Sequence, residues 1–157
     1  MIVLTSCSKS LNTMFITATP ESQYMSGISQ IRYYAASGPV SPEYQWKEEI
    51  IITTDEVTIT RSGNDPDTVI NEGEWIIAVD QAEIEKLFTT LEAVDISLMT
   101  RVDYEEPITG DGYESIRITY ENDQTFSISD DSDGKTQNAD LINKPIGAFL
   151  QQLDFPE

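Results

Sequence analysis

Residues 44–60, YQWKEEIIITTDEVTIT, contain the pattern from which the fold is inferred. Side chains that alternate along a β-strand share one face, so every second position of a half-buried strand is apolar. The first half of this stretch has that alternation. Its apolar positions are Tyr44, Trp46, Ile50 and Ile52, and Glu48 is the one polar residue among them. A polar turn at residues 54–56 follows, and Val57 and Ile59 then resume the alternation. The stretch therefore predicts an antiparallel hairpin with one apolar face.

Strand patterns also occur on both sides of this hairpin. Alternation and short apolar runs bounded by turn residues predict further strands at 28–36, 75–79, 115–120 and 125–129. Proline, glycine and polar residues predict the intervening turns and loops at 37–42, 61–67, 97–112 and 121–124. The strands succeed one another with short connections, which favours antiparallel pairing.

Two amphipathic helices are predicted. The first follows Asp80 and Glu83, which have the spacing of a capping box, and the second begins near Pro145, a residue favoured in a first turn. Apolar side chains recur at helical spacing in both, at Ile84, Leu87, Phe88 and Leu91 and at Ile146, Phe149, Leu150 and Leu153. A duplicated hairpin-plus-helix unit would explain the shared pattern. The general similarity of amphipathic helices would explain it as well. With only eight matching positions, this second explanation is preferred.

The predicted fold class is α+β, a twisted antiparallel sheet built from hairpins with two amphipathic helices packed on one face. The chain has 157 residues, which suits one domain of ordinary size. We expect residues 27–157 to form that domain. We expect residues 1–26, which are rich in serine and threonine, to be a truncated leader and a tether.

The charge and the rare residue types exclude several classes of function. Nine basic against 28 acidic residues leave a formal charge of −19, which disfavours nucleic acids and anionic membranes as direct partners. The chain has no histidine, which removes histidine-based catalysis and metal sites. It has one cysteine, so no intramolecular disulfide or thiolate cluster forms. We therefore expect a protein that is not an enzyme and that holds no cofactor.

The cysteine lies in the stretch Leu4-Thr5-Ser6-Cys7, an aliphatic residue, two small residues and then cysteine. This stretch resembles the lipobox of bacterial lipoproteins. The resemblance implies that a signal peptide is cleaved before Cys7 and that Cys7 carries the lipid. It also implies a membrane-anchored protein of the bacterial cell envelope, at the outer membrane or the cell surface and facing the periplasm or the exterior. Contact with the membrane would be through the lipid only.

The resemblance covers the first ten residues. Only Met1 to Leu4 precede the small residues, without a basic residue, so the leader is shorter than a complete signal. An upstream start or a trimmed terminus would account for the missing part. The alternative is an ordinary free cysteine at an apolar terminus.

Four aromatic residues flank the turn at 37–42 and are the candidate ligand surface: Tyr33, Tyr34, Tyr44 and Trp46. Exposed aromatic rings stack on sugars and anchor peptides. Alternation places Tyr33 and Tyr34 on opposite faces of their strand, so one of them is expected outside the core.

The acidic stretch 129–140 offers a weaker candidate site for a metal ion. Its spacing around Gly134 is similar to that of a calcium-binding loop, in which Asp131, Asp133 and Asp140 would be ligands. The first and last positions of that pattern do not match, so an ordinary solvated loop is the preferred interpretation.

The leading hypothesis is therefore a lipid-anchored extracytoplasmic module that binds an unknown protein, peptide or glycan. One alternative is an inhibitor of extracytoplasmic proteases that presents the loops 37–42 and 103–112. The other is a divalent-cation-binding protein that uses residues 129–140.

Overall fold

The computed structural model describes residues 27–63, 72–106 and 112–155. They form a mixed α+β fold with an antiparallel sheet of eight strands and two α-helices. The strands are β1 (Ile28–Ala36), β2 (Trp46–Thr53), β3 (Val57–Gly63), β4 (Gly73–Ile77), β5 (Thr100–Asp103), β6 (Tyr113–Tyr120), β7 (Thr125–Asp131) and β8 (Gly134–Gln137). The helices are α1 (Gln81–Glu92) and α2 (Asp140–Leu150), with 3₁₀ turns at Pro42–Tyr44 and Ile96–Leu98.

The sheet has the order β4-β3-β2-β1-β6-β7-β8-β5. Strand β1 is central and pairs with β2 on one side and β6 on the other. A meander of three strands followed by a helix lies on each side of β1, and β5 pairs with the outer edge of β8. This arrangement matches the hairpin-plus-helix pattern seen twice in the sequence.

The register places the buried strand residues on one face of the sheet, here called the core face. Ile31 lies opposite Ile52 of β2 and Ile118 of β6, and Ile52 lies opposite Val57. These four side chains are almost fully buried. The other face, here called the outer face, carries the alternate positions of the same strands. None of the outer-face side chains in the described strands is buried.

One hydrophobic cluster joins the core-face strand residues to the helices. Helix α1 contributes the whole stripe expected from its sequence, and α2 contributes Ile142, Ile146 and Phe149. Burial of an aliphatic or aromatic side chain contributes about 1.5–3 kcal/mol, so this cluster is the main source of stability. Neither helix in the described part of the chain has the length and apolar character needed to span a bilayer.

Two strands were not expected from the sequence. The predicted loop 97–112 contains β5, and the predicted solvated stretch 129–140 contains the end of β7 and all of β8. All four residues of β5 are exposed, because this strand forms the edge of the sheet. An exposed edge strand needs no apolar alternation, so the periodicity that identifies a strand is missing there.

Several boundaries also differ from the prediction. Strand β2 begins at Trp46, because residues 42–44 form a 3₁₀ turn, and β3 extends to Gly63, into the predicted loop 61–67. The rest of that loop lies partly outside the described residues. Strand β4 ends two residues before Val79. Helix α2 begins five residues before Pro145, so this proline lies inside the helix rather than in its first turn.

The helix start at Asp80 is confirmed, but its capping box is not. The Asp80 carboxylate accepts a hydrogen bond from the backbone N–H of Ala82 at 3.0 Å. Glu83 does not reach back to the cap, since its carboxylate pairs with Lys86 at 3.2 Å. A neighbouring lysine one turn along the helix thus replaces the reciprocal cap contact.

Candidate binding surface at the end of the core face

The four candidate aromatic residues are divided between two faces. Tyr33 and Tyr34 point to opposite faces, as the alternation predicts; Tyr33 packs against the core, and Tyr34 lies on the outer face against the ring of Tyr113. Trp46 has a core-face register position at the start of β2. Tyr44 lies in the 3₁₀ turn with 46% of its surface exposed.

A row of charged side chains marks the end of the apolar core. These side chains lie level with Ala35 of β1 on the core face, two on one side of β1 and three on the other. They are Arg61 and Glu48 on β3 and β2, and Glu114, Asp130 and Lys135 on β6, β7 and β8. Two residues further toward the core, Tyr33 of β1 lies between the aliphatic side chains of Ile50 and Ile116 on the neighbouring strands. Charged side chains are costly to bury unless they are paired, so the core ends at this row.

The acids in this row are compensated to different degrees. Glu48 pairs with Arg61 at 2.6 Å. Glu114 and Asp130 lie directly opposite one another on β6 and β7, and neither forms an ion pair in the described part of the chain. Like charges directly opposite one another on neighbouring strands are destabilising. These two facing carboxylates are here called the acidic pair.

Each carboxylate of the acidic pair lies beside a tyrosine. The hydroxyl of Tyr104 donates to Asp130 at 3.3 Å, and Glu114 is close enough to Tyr33 to raise the pKa of its hydroxyl. Burial raises the pKa of Tyr33 well above its ordinary value, and the charges of Glu114 and Glu48 raise it further. The hydroxyl of Tyr33 therefore keeps its proton, and its role as a donor, throughout the physiological pH range.

The acidic pair and the aromatic rings line one shallow depression of ≈ 390 Å³, here called the core-face depression. Its aromatic wall consists of Tyr33, Trp46, Tyr104 and Tyr113. Its acidic side chains are Glu114, Asp130 and Asp131, the last of which is paired with Arg101. A cationic group is attracted both to carboxylates and to the faces of aromatic rings. The arrangement is thus suited to binding a cation of organic character, such as a lysine or arginine side chain.

The three candidate metal ligands are held apart by other partners. Asp131 forms an ion pair with Arg101 at 2.7 Å, and Asp140 pairs with Lys144 at 2.7 Å on α2. Asp133 lies in the turn between β7 and β8. In residues 27–63, 72–106 and 112–155, no group of three acidic, cysteine or histidine side chains is arranged to hold a metal ion.

The two loops of the inhibitor hypothesis differ in structure. The turn after β1 is tied to the sheet, because the backbone N–H of Ser37 donates to the carbonyl of Trp46 at 3.0 Å. The other loop, 103–112, begins at the last residue of β5, and its residues 107–111 lie outside the described residues. Cys7 also lies outside them.

Sequence reasoning missed Tyr104, Glu114 and Asp130 as members of this surface. All three lie in the acidic stretch 103–133, which holds ten acidic residues and one basic residue, Arg117. Composition showed the excess of charge there. It did not show which acids face one another, because that depends on the register between β6 and β7.

Comparison of the chain with protein-family models and with curated proteins gives no match in either case.

Proposed function

We propose that this protein is a lipid-anchored extracytoplasmic binding module that recognises a basic segment of a protein partner through the core-face depression. The proposal has two parts, an anchor at Cys7 and a ligand surface at the end of the sheet. They rest on different observations and are tested separately.

The acidic pair is the observation that carries the ligand part. Two carboxylates that face each other destabilise the sheet, and Glu114 and Asp130 are in that position. Lys135 lies opposite Asp130 on β8, but neither carboxylate forms an ion pair in the described residues, so both can still accept from a ligand. A lysine or arginine side chain placed between them would remove the repulsion and form charge-assisted hydrogen bonds. Binding would therefore stabilise the fold as well as the complex.

The aromatic wall supports an organic cation rather than a metal ion. Trp46 and Tyr104 are half-buried beside the acidic pair. A guanidinium group stacks on aromatic rings while it donates to carboxylates, a combination that a hydrated metal ion does not use. The net charge of −19 would also attract a basic partner over longer distances.

The packing inferred for the helices would leave this surface accessible. We infer that both helices pack on the core face, since their buried side chains share one cluster with the core-face strand residues and α1 contacts α2. The charged row lies beyond that cluster at the end of the strands. The apolar part of the core face would then be covered, while its polar end remains open to a ligand.

The anchor part rests on the lipobox-like residues Leu4-Thr5-Ser6-Cys7. A protein with this charge is repelled by anionic lipid headgroups, so lipid chains would be needed to hold it at a bilayer. Intact-mass analysis of the protein from its native cell tests this part. We expect loss of the residues before Cys7 and the added mass of acyl chains, whereas an unmodified thiol would contradict the anchor.

Calorimetric titration with a penta-arginine peptide tests the ligand part. The neutral isostere penta-citrulline is the matched control probe, since it has nearly the same shape and no charge. We expect the wild-type chain to bind penta-arginine and to bind penta-citrulline at least tenfold more weakly. Equal binding of the two peptides, or no binding of penta-arginine, would contradict the proposal.

Two charge-removing variants locate the site. Glu114→Gln and Asp130→Asn should each weaken penta-arginine binding by about fivefold, or roughly 1 kcal/mol, since each loses one exposed charge pair with the ligand. Glu85→Gln on α1 is the matched control, because it removes the same charge from an exposed position outside the depression. An equal loss in the control variant would show that only the net charge matters.

A further inference from the structure

A second pair of like charges lies on the outer face of the sheet. Arg32 of β1 and Arg117 of β6 are directly opposite one another. Like charges in this position are destabilising, and they are unexpected in a chain that has three times as many acids as bases. The two arginines therefore need an explanation beyond the stability of the sheet.

The register neighbours of Arg117 in the described strands carry no carboxylate. Its neighbours across the strands are Arg32 and Ser127, and its neighbours along the same face of β6 are Ser115 and Thr119. Arg32 pairs with Glu49 of β2, but Arg117 forms no ion pair or hydrogen bond in the described residues. Arg117 is also exposed, so its guanidinium group is available to a ligand.

Aromatic rings lie beside the two arginines. The rings of Tyr34 and Tyr113 are 5.8 Å apart between centroids and inclined at 60°. The guanidinium carbon of Arg32 is 5.9 Å from the centroid of Tyr34. Tyrosine rings that are partly exposed next to polar groups are suited to packing against the apolar face of a sugar ring.

These side chains line a depression of ≈ 290 Å³ on the outer face, here called the outer-face depression. Ser115, Ser127 and Ser129 also line it, together with Ile116 and Ile128. The serine hydroxyl groups both donate and accept hydrogen bonds, as the hydroxyls of a sugar do. The depression thus combines two guanidinium groups, two aromatic rings and a set of hydroxyls.

We propose that the outer-face depression binds a carboxylate-bearing sugar ring of an acidic glycan. The guanidinium group of Arg117 would hold the carboxylate through paired hydrogen bonds, with Arg32 beside it. Tyr34 and Tyr113 would pack against the ring, and the serines would bond to its hydroxyls. This site lies on the opposite face of the sheet from the core-face depression, although Tyr113 borders both depressions at the end of β6.

The net negative charge of the chain does not prevent such binding. At physiological ionic strength the Debye length is about 8 Å, so exposed charges farther away are largely screened. The nearest acids on the outer face already have basic partners, since Glu49 pairs with Arg32 and Asp131 with Arg101. Because Arg32 is neutralised by Glu49, the uncompensated positive charge at this site is that of Arg117.

Calorimetric titration of the full chain with tetragalacturonate tests this proposal. The fully methyl-esterified tetrasaccharide is the matched control, because it keeps the rings and loses the carboxylate charges. We expect tetragalacturonate to bind and the ester to bind at least tenfold more weakly. Equal binding of both sugars, or absence of binding by tetragalacturonate, would overturn the proposal.

A tetraglutamate peptide separates a sugar site from a general carboxylate site. It has the same charge as tetragalacturonate but no ring to pack on Tyr34 and Tyr113. We expect it to bind at least fivefold more weakly than the sugar. If it binds as tightly, the assignment of a sugar ring is wrong.

Two variants on the outer face complete the test. Arg117→Gln should weaken tetragalacturonate binding at least tenfold. Lys47→Gln should have little effect, since Lys47 carries the same charge on the outer face but lies outside the depression. A thermal melt of each variant checks that the fold is retained. An equal loss in both variants would contradict a localised site.

Discussion

Two pairs of like charges face one another across neighbouring strands, Glu114 with Asp130 and Arg32 with Arg117. Each pair costs the sheet roughly 0.2–1 kcal/mol relative to a neutral pair. The acidic pair lies at the end of the core face and the arginine pair lies on the outer face. The acidic pair forms no ion pair in the described residues, and in the arginine pair only Arg32 has a partner, Glu49. The opposite signs of the two pairs indicate different classes of ligand.

The ion pair between Asp131 and Arg101 leads to a prediction about pH. Hydrogen bonds from Arg101 hold the pKa of Asp131 below its ordinary value, and the backbone N–H groups of Asp133 and Gly134 lower it further. The native state thus binds fewer protons at this site than the unfolded state. The resulting stability is present above the unfolded pKa of about 3.9 and is lost as pH falls through the lower native pKa.

Asp131→Asn removes the ion pair and keeps a side-chain oxygen that can accept from the turn. We expect it to lower the free energy of unfolding at pH 7 by less than about 1 kcal/mol, because the pair is partly exposed. Urea unfolding of both proteins at pH 7 and at pH 3 measures the difference. The difference should shrink at pH 3; a difference that grows there would contradict the assigned shift.

Single residues were predicted unevenly from the sequence. The opposite orientations of Tyr33 and Tyr34 follow from the strand period alone and are confirmed. The acidic pair was not predictable, since β6 and β7 can be aligned in several registers that keep the apolar side chains together. Arg117 stood out as the one basic residue in a long acidic stretch, but its partner Arg32 is 85 positions away along the chain and depends on tertiary pairing.

At the scale of elements, apolar alternation identified every strand that has a buried face. It failed for β5, whose four residues are exposed, and for β8, in which only Gly134 is buried. Helix α1 was found because its start has an aspartate cap and its stripe is regular. The predicted start of α2 is too late, because proline usually marks the first turn of a helix, whereas Pro145 lies inside this one.

Two glycines in different elements lead to opposite predictions. Gly147 lies inside α2, and a Cβ added there meets no atom within 4 Å. Gly147→Ala should raise the free energy of unfolding by about 0.5–1 kcal/mol, because alanine loses less backbone entropy in a helix. Gly63 ends β3 with a φ of +96°, and a Cβ added there would overlap the backbone carbonyl oxygen of Gln45.

Gly63→Ala should therefore destabilise the protein by more than about 1 kcal/mol, through strain and steric overlap. Urea unfolding of the two glycine variants beside the wild type measures both effects. Stabilisation by Gly63→Ala would show that the close approach of β2 and β3 is not as described.

At the scale of the whole molecule, the formal charge of −19 repels itself in the compact state. Raising sodium chloride from 20 to 500 mM at pH 7 should screen this repulsion. We expect the melting temperature to rise by roughly 2–4 °C, or about 1 kcal/mol for a chain of this size. The rise should be smaller at pH 4.5, where many carboxylates are protonated. A fall in melting temperature with salt at pH 7 would contradict this account.

The fold class followed from the order of predicted elements, and the α+β prediction is confirmed with an antiparallel sheet and two helices. The order of the strands within the sheet could not be predicted from the order of elements along the chain. Hairpins fix the neighbours within each meander, but the pairing of β1 with β6 joins segments that are about 85 residues apart. That contact depends on the collapse of the whole core rather than on any local pattern.

The central claim is that the end of the core face binds a cationic group. Nuclear magnetic resonance of the nitrogen-15-labelled, unlipidated chain tests it most directly, with penta-arginine and tetragalacturonate added in separate titrations. We predict that penta-arginine shifts the indole N–H signal of Trp46 and leaves the side-chain Nε–H signal of Arg117 in place, and that tetragalacturonate does the reverse. A Trp46 signal that does not respond to penta-arginine would contradict the claim.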